Sequence, residues 1–555
     1  MPLPFPRHES LLLELDLTRP MIETEPADPV AKLRSRGRTR LRATLRTLHE
    51  AGEDPRVVGL IARVGDVAMP FAIAQEIRAA VVAFAAAGKP TVAWAETFGE
   101  SANGTVPYLL ATGFSEIWLQ PSGDLGLIGV AAEVTFLRGA LDKLGIDPQL
   151  EKRHEYKSAA DRILNDHFTD AHRESADRIA ESTWEIVVRA VTDARGISAE
   201  TLQERVDEGP LPAHDALDAG LVDRLGYRDE VYADVRRRVG GEPTLLFADQ
   251  WSPRRPLPAR VRTEVTKRRA QGIALVEGYG AITTGRSRRT PLQGPVMGSD
   301  TVAAALRAAR EDDRVAAVVF RVDSPGGSYV ASDTVWREVV VTRDAGKPVI
   351  VSMGAVAGSG GYFVACAADV IVAQPSTLTG SIGVFGGKAV VSALTERLGL
   401  ATDAVSRGRH SRMFSARVGF TEDERDRMAH WLDDVYGDFV GKVAQGRGMS
   451  AEDVHQAARG RVWTGADAAQ LGLVDILGGL RDAVRIARER AGLAADAPVR
   501  PAVVVPMLAR LSSPTSSEDP RAAAAHLGGW GDFAGIAASL GLPAAGPLSM
   551  PINAL

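Results

Sequence analysis

The sequence predicts an α/β protein made of two copies of one unit, each with a mainly parallel sheet. Three observations predict this. The chain repeats itself, near-continuous apolar runs of strand length alternate with segments of helical spacing, and glycine-rich turns join them.

The repeat is clearest between Gly104–Val130 and Gly358–Val384, where 11 of 27 positions match without a gap at an offset of 254. Chance would give roughly two at average residue frequencies. Paired Gln-Pro-Ser runs (Gln120–Ser122 and Gln374–Ser376) and shared Ile-Gly-Val endings anchor the register. Upstream, Gly88-Lys-Pro matches Gly346-Lys-Pro. Downstream, Asp215–Gly226 matches Asp467–Gly478. Three blocks in one order mean a duplicated domain. The expected halves are 1–245 and 246–505, joined through Gly240–Gln271, where Trp251-Ser-Pro-Arg-Arg-Pro reads as linker. Residues 506–555, rich in Pro, Ser, Ala and Gly, read as a flexible tail with a short helix near Phe533–Leu540.

The elements follow in order. Leu11–Leu17 reads as the first strand. In the second half, Ile273–Val276 is a strand and Asp300–Glu311 has helical spacing. Val315–Val322 is almost wholly apolar, as a parallel strand buried on both faces must be. Ser332–Asp344 reads as a helix capped by Ser332, Pro348–Ser352 as a strand, Ser359–Ala368 as a helix and Val370–Ala373 as a strand. This rhythm is that of βαβ units.

Composition excludes several classes. A net charge of −5 gives no reason to expect a nucleic-acid partner. A single cysteine, Cys366, in an apolar run, excludes an intrachain disulfide and a cysteine-based zinc site. The longest apolar stretches, Ala79–Ala87 and Ala502–Leu508, fall far short of the roughly 20 residues a spanning helix needs. No export signal is read at the N-terminus. The expectation is a chain that is soluble or peripheral to a membrane, the cytoplasm being one placement that fits. Nothing calls for a metal or cofactor, and Gly383–Lys388 lacks the spacing of a phosphate loop.

Chemistry concentrates in the glycine-rich turns. Asp323-Ser-Pro-Gly-Gly-Ser follows a strand directly, and its two glycines, Gly326 and Gly327, allow a sharp turn that exposes N–H groups. Ser359, flanked by Gly358, Gly360 and Gly361, stands where a strand ends and a helix begins. It is either a helix cap or a nucleophile on a tight turn. A serine nucleophile needs a base, and none of the ten histidines falls in the motifs around it; His154 and His410 lie nearest to the candidate segments.

The repeat points to a different base. Ser359 faces Thr105 in the first half, and the Asp323 turn faces Gly65-Asp-Val-Ala-Met, so the first half lacks the nucleophile turn. Lys157, in Glu155-Tyr-Lys-Ser-Ala-Ala, faces Ser411 or Arg409, so the second half lacks the lysine. Each half keeps what the other has lost. Lysine is scarce here, nine against 56 arginines, and only lysine of the two can give up its proton and act as a base.

Four segments in this order, Tyr156-Lys-Ser-Ala, Asp323-Ser-Pro-Gly-Gly-Ser, Ser352–Tyr362 and Thr379-Gly-Ser-Ile-Gly, resemble the long, duplicated form of the signal peptide peptidase A family, over about residues 10–490. The resemblance implies tandem ClpP/crotonase-like domains and a serine peptidase using a Ser/Lys dyad. It implies Ser359 as nucleophile, Lys157 as general base, Ser381 as a hydrogen-bond partner of the lysine, and N–H groups of Gly326, Gly327 and Gly360 as oxyanion donors. It also implies extended apolar peptide substrates such as signal peptide remnants, with no cofactor. A homotetramer whose sites join serine and lysine at contacts between protomers is expected from it. Peripheral membrane contact stays open, because the membrane anchor of many relatives is not seen. A crotonase-like acyl-CoA enzyme and a non-catalytic scaffold of the same fold are the alternatives.

Overall fold

A computed structural model describes residues 10–23, 38–253, 270–290 and 294–503, and two short strands, His526–Leu527 and Leu548–Ser549. The remainder of the tail, including the helix expected near Phe533–Leu540, lies outside the described residues. The chain packs as two units. One comprises Met1–Ala131 and Thr183–Glu264, the other Ala132–Ser182 and Val265–Leu555. The repeat boundary near residue 245 and the packing boundary therefore do not coincide: a segment of the first half, Ala132–Ser182, is built into the second unit.

In the first unit a six-stranded sheet runs in the order Arg224–Leu225, Glu116–Leu119, Thr91–Ala95, Val57–Arg63, Leu11–Asp16 and Thr244–Phe247, every pair parallel. Leu12, Ile61, Val92, Trp94 and Trp118 on one face bury against Val231, Tyr232 and Val235 of the helix Arg228–Val239. The helix α1 (Thr105–Ala111) occupies the place that the repeat assigns to the nucleophile helix.

The elements of the second unit used below are labelled in chain order. They are α2 (Arg138–Leu144), β1 (Asp147–Lys152), α3 (Ser158–Leu164), β2 (Gly272–Tyr279), β3 (Val315–Ser324), β4 (Gly326–Gly327), α4 (Tyr329–Asp344), β5 (Val349–Gly358), α5 (Gly360–Ala365), β6 (Val370–Ala373), β7 (Leu378–Gly380), β8 (Phe385–Val390), α6 (Ser392–Arg397), α7 (Glu422–Arg447) and β9 (Val462–Thr464). The central sheet runs β9-β7-β5-β3-β2 and then Val499–Pro501, while β6 also pairs with β5. Only the β7–β9 pair is antiparallel. Val318, Phe320, Val322, Val351 and Met353 fill the core on one side with Val335, Val339 and the α5 residues Tyr362–Ala365. Cys366 is buried there; its thiol donates to the Phe363 carbonyl at 3.2 Å, and burial pushes its pKa to about 12, so it is an inert apolar filler.

Two local readings change. The β5 strand is ten residues long, running through Gly358 rather than ending at Ser352. Its first part pairs with β6 and its last three residues pair with β7, a strand with no strong local signature. The cap of α4 is Ser328, whose side chain accepts from the Ala331 N–H, and Ser332 instead donates its hydroxyl to the Ser328 carbonyl at 2.8 Å.

Candidate active site

Ser359 sits at the join of β5 and α5, fully buried, with φ 54° and ψ −117°. A non-glycine residue held at such angles costs about 1–3 kcal/mol and persists only where its surroundings enforce it. Here the Ser359 N–H donates to the Gly380 carbonyl of β7 at 2.8 Å, and the Ser359 carbonyl accepts the Phe363 N–H of α5 at 2.9 Å. The strand β7 and the helix α5 together hold the turn.

Lys157 is delivered by a different route. β1 pairs antiparallel with β8, Phe385 opposite Lys152 and Val390 opposite Asp147, and the Arg153 N–H continues the pairing to the Val384 carbonyl at 3.0 Å. The chain then enters α3, whose Ala159, Ala160 and Ile163 pack on Phe385 and Leu150. Gly460 closes the other side. It has φ +86°, and a Cβ there would stand 2.6 Å from the Lys157 backbone nitrogen and 2.7 Å from its Cα. No side chain larger than hydrogen fits.

The two side chains meet, although 202 residues separate them along the chain. Lys157 Nζ lies 2.9 Å from Ser359 Oγ, 3.0 Å from Ser381 Oγ and 3.0 Å from the Ser381 carbonyl oxygen. All three residues are buried. Among the described residues no carboxylate pairs with the ammonium group, and burial alone pushes the lysine pKa well below its ordinary 10.5. Ser381 is itself held at φ 50°, its N–H bonded to the Arg461 carbonyl at 2.7 Å.

The expected oxyanion donors are also adjacent. A Cβ on Gly360 would stand 2.7 Å from Ser332 Oγ and 3.1 Å from Gly326 Cα and Gly327 N, so a side chain there would force its neighbours to shift. The Gly326 N–H is taken by Ser324 Oγ at 3.1 Å, which leaves Gly327 and Gly360 as the better-placed donors. Leu548–Ser549 lies antiparallel along Gly326–Gly327, so the turn accepts an extended strand.

One expectation changes on this geometry. Serine and lysine come together within one chain, so their division between the sequence halves does not require a second protomer, as the family resemblance had implied. The reason is the β1–β8 pairing, which carries Ala132–Ser182 across to the second half's fold. The histidines lie elsewhere: His154 packs on the Tyr436 ring at 4.3 Å, and His410 faces Asp423 at 3.1 Å. Among the described residues no group of His, Cys, Asp and Glu is arranged to hold a metal ion. No described helix is long and apolar enough to cross a membrane. Sequence reasoning missed the β1–β8 pair and Gly460. The period-2 pattern of Phe385–Val390 is broken by Gly387 and Lys388, and a lone glycine carries no sign of what approaches it.

The family model of peptidase family S49 matches residues 83–240 and 341–494, one stretch in each half. The chain belongs to peptidase family S49. It is 31% identical over 483 residues to a chloroplastic serine protease SPPA of Arabidopsis thaliana, covering 84% of this chain and 67% of that protein. It is 34% identical over 424 residues to Protease 4 of Salmonella typhi, covering 74% of this chain and 65% of that one. The chain thus spans about two thirds of the length of these relatives. A solved structure, a mutant of the 1510-N membrane-bound stomatin-specific protease in complex with a substrate peptide, aligns with 44% of this chain and 96% of its own length. Its identity is 13% and its TM-score 0.27, too loose a likeness to carry any inference about the site. Membership of a peptidase family sets the acyl-CoA and scaffold readings aside.

Proposed function

We propose that this S49 peptidase hydrolyses extended peptides with Ser359 as nucleophile and Lys157 as its general base. The observation that carries the reading is the 2.9 Å contact between Lys157 Nζ and Ser359 Oγ in a buried site where, among the described residues, no carboxylate pairs with the lysine. A neutral amine has two N–H donors and one lone pair. The Ser381 carbonyl and hydroxyl oxygens accept the two N–H groups, and the lone pair then faces the Ser359 hydroxyl. The partners around Nζ suit the form that desolvation favours.

In the reaction, Lys157 takes the Ser359 proton as Oγ bonds to the peptide carbonyl carbon. The negative charge moves to the carbonyl oxygen, where N–H groups of Gly327 and Gly360 stabilise it, an effect of about 3–4 kcal/mol per donor in comparable sites. When the C–N bond breaks, the proton held on Lys157 passes to the leaving amine. Water, deprotonated by the same lysine, then releases the acyl group from Ser359. The extended form of the substrate is supported by Leu548–Ser549, which already pairs along Gly326–Gly327 as an added strand. Apolar peptides, signal peptide remnants among them, are the substrate class that the family resemblance suggests.

An acylating serine-hydrolase probe tests the assignment. Label is expected on Ser359 in the wild type, none in Ser359→Ala, and a strongly reduced rate in Lys157→Ala. Undiminished labelling of Lys157→Ala would refute the lysine's role.

A further inference from the structure

The strand that carries Ser359 does not run straight to it. β3 and β5 pair in register from Val318 opposite Val349 to Val322 opposite Met353, and resume at Ser324 opposite Ala357. Two steps along β3 therefore correspond to four along β5. The single residue Asp323 spans Gly354, Ala355 and Val356, so β5 carries two extra residues just before the nucleophile turn. An insertion of this kind bends the strand and leaves backbone groups without ladder partners.

Side chains from both neighbours take those groups up. From β3, Asp323 Oδ1 accepts the Val356 N–H at 3.0 Å. From the other side, the Thr377 hydroxyl donates to the Gly354 carbonyl at 2.8 Å and the Thr379 hydroxyl to the Ala357 carbonyl at 2.7 Å, and both threonines are fully buried. A Cβ on Gly354 would stand 2.7 Å from Asp323 Cβ and 2.8 Å from its Cγ, so the carboxylate arm lies directly on the bend. The bend changes the partner of β5. Before it, Ile350, Val351 and Ser352 pair with β6; after it, Val356, Ala357 and Gly358 pair with β7, ending at Gly358 opposite Gly380. The next residues on the two strands are Ser359 and Ser381. Both lie at positive φ, and both hydroxyls reach Lys157 Nζ. Val356 packs on Ile179, Leu378 and Val462, so the bend also touches the Ala132–Ser182 segment that carries the lysine.

We propose that Asp323 is a positioning residue for the peptidase reaction: by holding the Val356 N–H it fixes the bend that sets Ser359 beside Ser381. It acts through the backbone and exchanges no proton with the reacting groups. The same residue begins the turn to Gly326 and Gly327, so it ties the nucleophile strand to the oxyanion donors. Ser324, next in the chain, accepts the Gly326 N–H through its hydroxyl, and a Cβ on Gly361 of α5 would stand 2.5 Å from the Ser324 carbonyl oxygen. A small displacement of the bend is thus passed to both the serine and the turn that faces it, and misplacements of about 1 Å cost rate by about a hundredfold. The proposal rests on the reading of Ser359 as nucleophile.

Asp323→Asn keeps an acceptor oxygen for the Val356 N–H, and Asp323→Ala removes it. Asp323→Ala is expected to lower kcat for peptide hydrolysis, and the rate of serine-directed labelling of Ser359, about tenfold to a hundredfold, with KM within about twofold of wild type. Asp323→Asn is expected to retain kcat within about threefold. A residue that only stabilised the fold would lower the midpoint of chemical denaturation and leave the kcat of the folded protein alone. Thr379→Val removes the bond to the Ala357 carbonyl from the other side. It is expected to lower kcat severalfold, and its effect should not add to that of Asp323→Ala, because both act on one bend. It also carries the test if Asp323→Ala does not fold. Wild-type kcat in Asp323→Ala, an equal loss in Asp323→Asn, or wild-type kcat in Thr379→Val would each overturn the proposal while the nucleophile assignment stands. Absence of label on Ser359 in the wild type would instead overturn that assignment, and the proposal with it.

Discussion

The two halves of this chain keep the same scaffold bonds and differ at the site. Lys89 donates to the carbonyls of Ala51 and Asp54 at 2.9 and 2.6 Å, and Lys347 donates to those of Ala309 and Asp312 at 3.0 and 2.7 Å. The Tyr108 hydroxyl bonds the Leu221 carbonyl, as that of Tyr362 bonds the Leu473 carbonyl. Asp223 accepts the Ile117 N–H and pairs with Arg195, as Asp475 accepts the Ile371 N–H and pairs with Arg447. At the nucleophile position the likeness stops. Ser359 is held at positive φ with its hydroxyl on Lys157. Thr105 lies in an ordinary helical turn, its N–H on Asn103 Oδ1 and its hydroxyl on the Gly129 carbonyl, each at 2.9 Å. Duplication preserved what folds each half and kept the strained turn in only one. Strain at a single residue costs stability and is retained where chemistry uses it.

Removing the reactive groups breaks this contrast most severely. Ser359→Ala or Lys157→Met should lower peptide hydrolysis about a thousandfold or more in steady-state assays, with the fold unchanged by circular dichroism. Lys157→Arg should not restore it, because guanidinium stays charged. Next comes the packing behind the lysine. Gly460→Ala places a methyl against the Lys157 backbone and should lower kcat by about tenfold to a hundredfold while KM changes little. A smaller effect concerns proton affinity. In the proposed mechanism the neutral amine is the active form, so kcat/KM should be full above the lowered Lys157 pKa and fall as pH drops through it. That acid limb should lie well below the ordinary lysine value of 10.5, and Ser381→Ala should displace it and lower kcat severalfold. The smallest effect tests the shared scaffold. Lys89→Met and Lys347→Met should each cost about 1–2 kcal/mol in chemical denaturation, by similar amounts, and neither should change the pH profile.

Much of this was legible along the chain. Val315–Val322 read as a buried parallel strand because both its faces are covered, and β3 runs Val315–Ser324. Lys157 stood out because its counterpart is missing from the other half, and it lies against Ser359. The cap of α4 was misplaced by one turn, since Ser328 and Ser332 are both able to cap and only the backbone path decides between them. The length of β5 was missed because Ala355, Ala357 and Gly358 around Val356 have little strand preference, and pairing with β7 supplies the order instead.

By itself the sequence determined the duplication, the parallel α/β class, the glycine turns and the two residues that each half alone retains. These depend on local pattern and on comparing the chain with itself. Only the tertiary structure decided that Ala132–Ser182 joins the second unit and that serine and lysine therefore meet inside one chain. The β1–β8 register joins segments more than two hundred residues apart, and no local pattern in either strand names its partner.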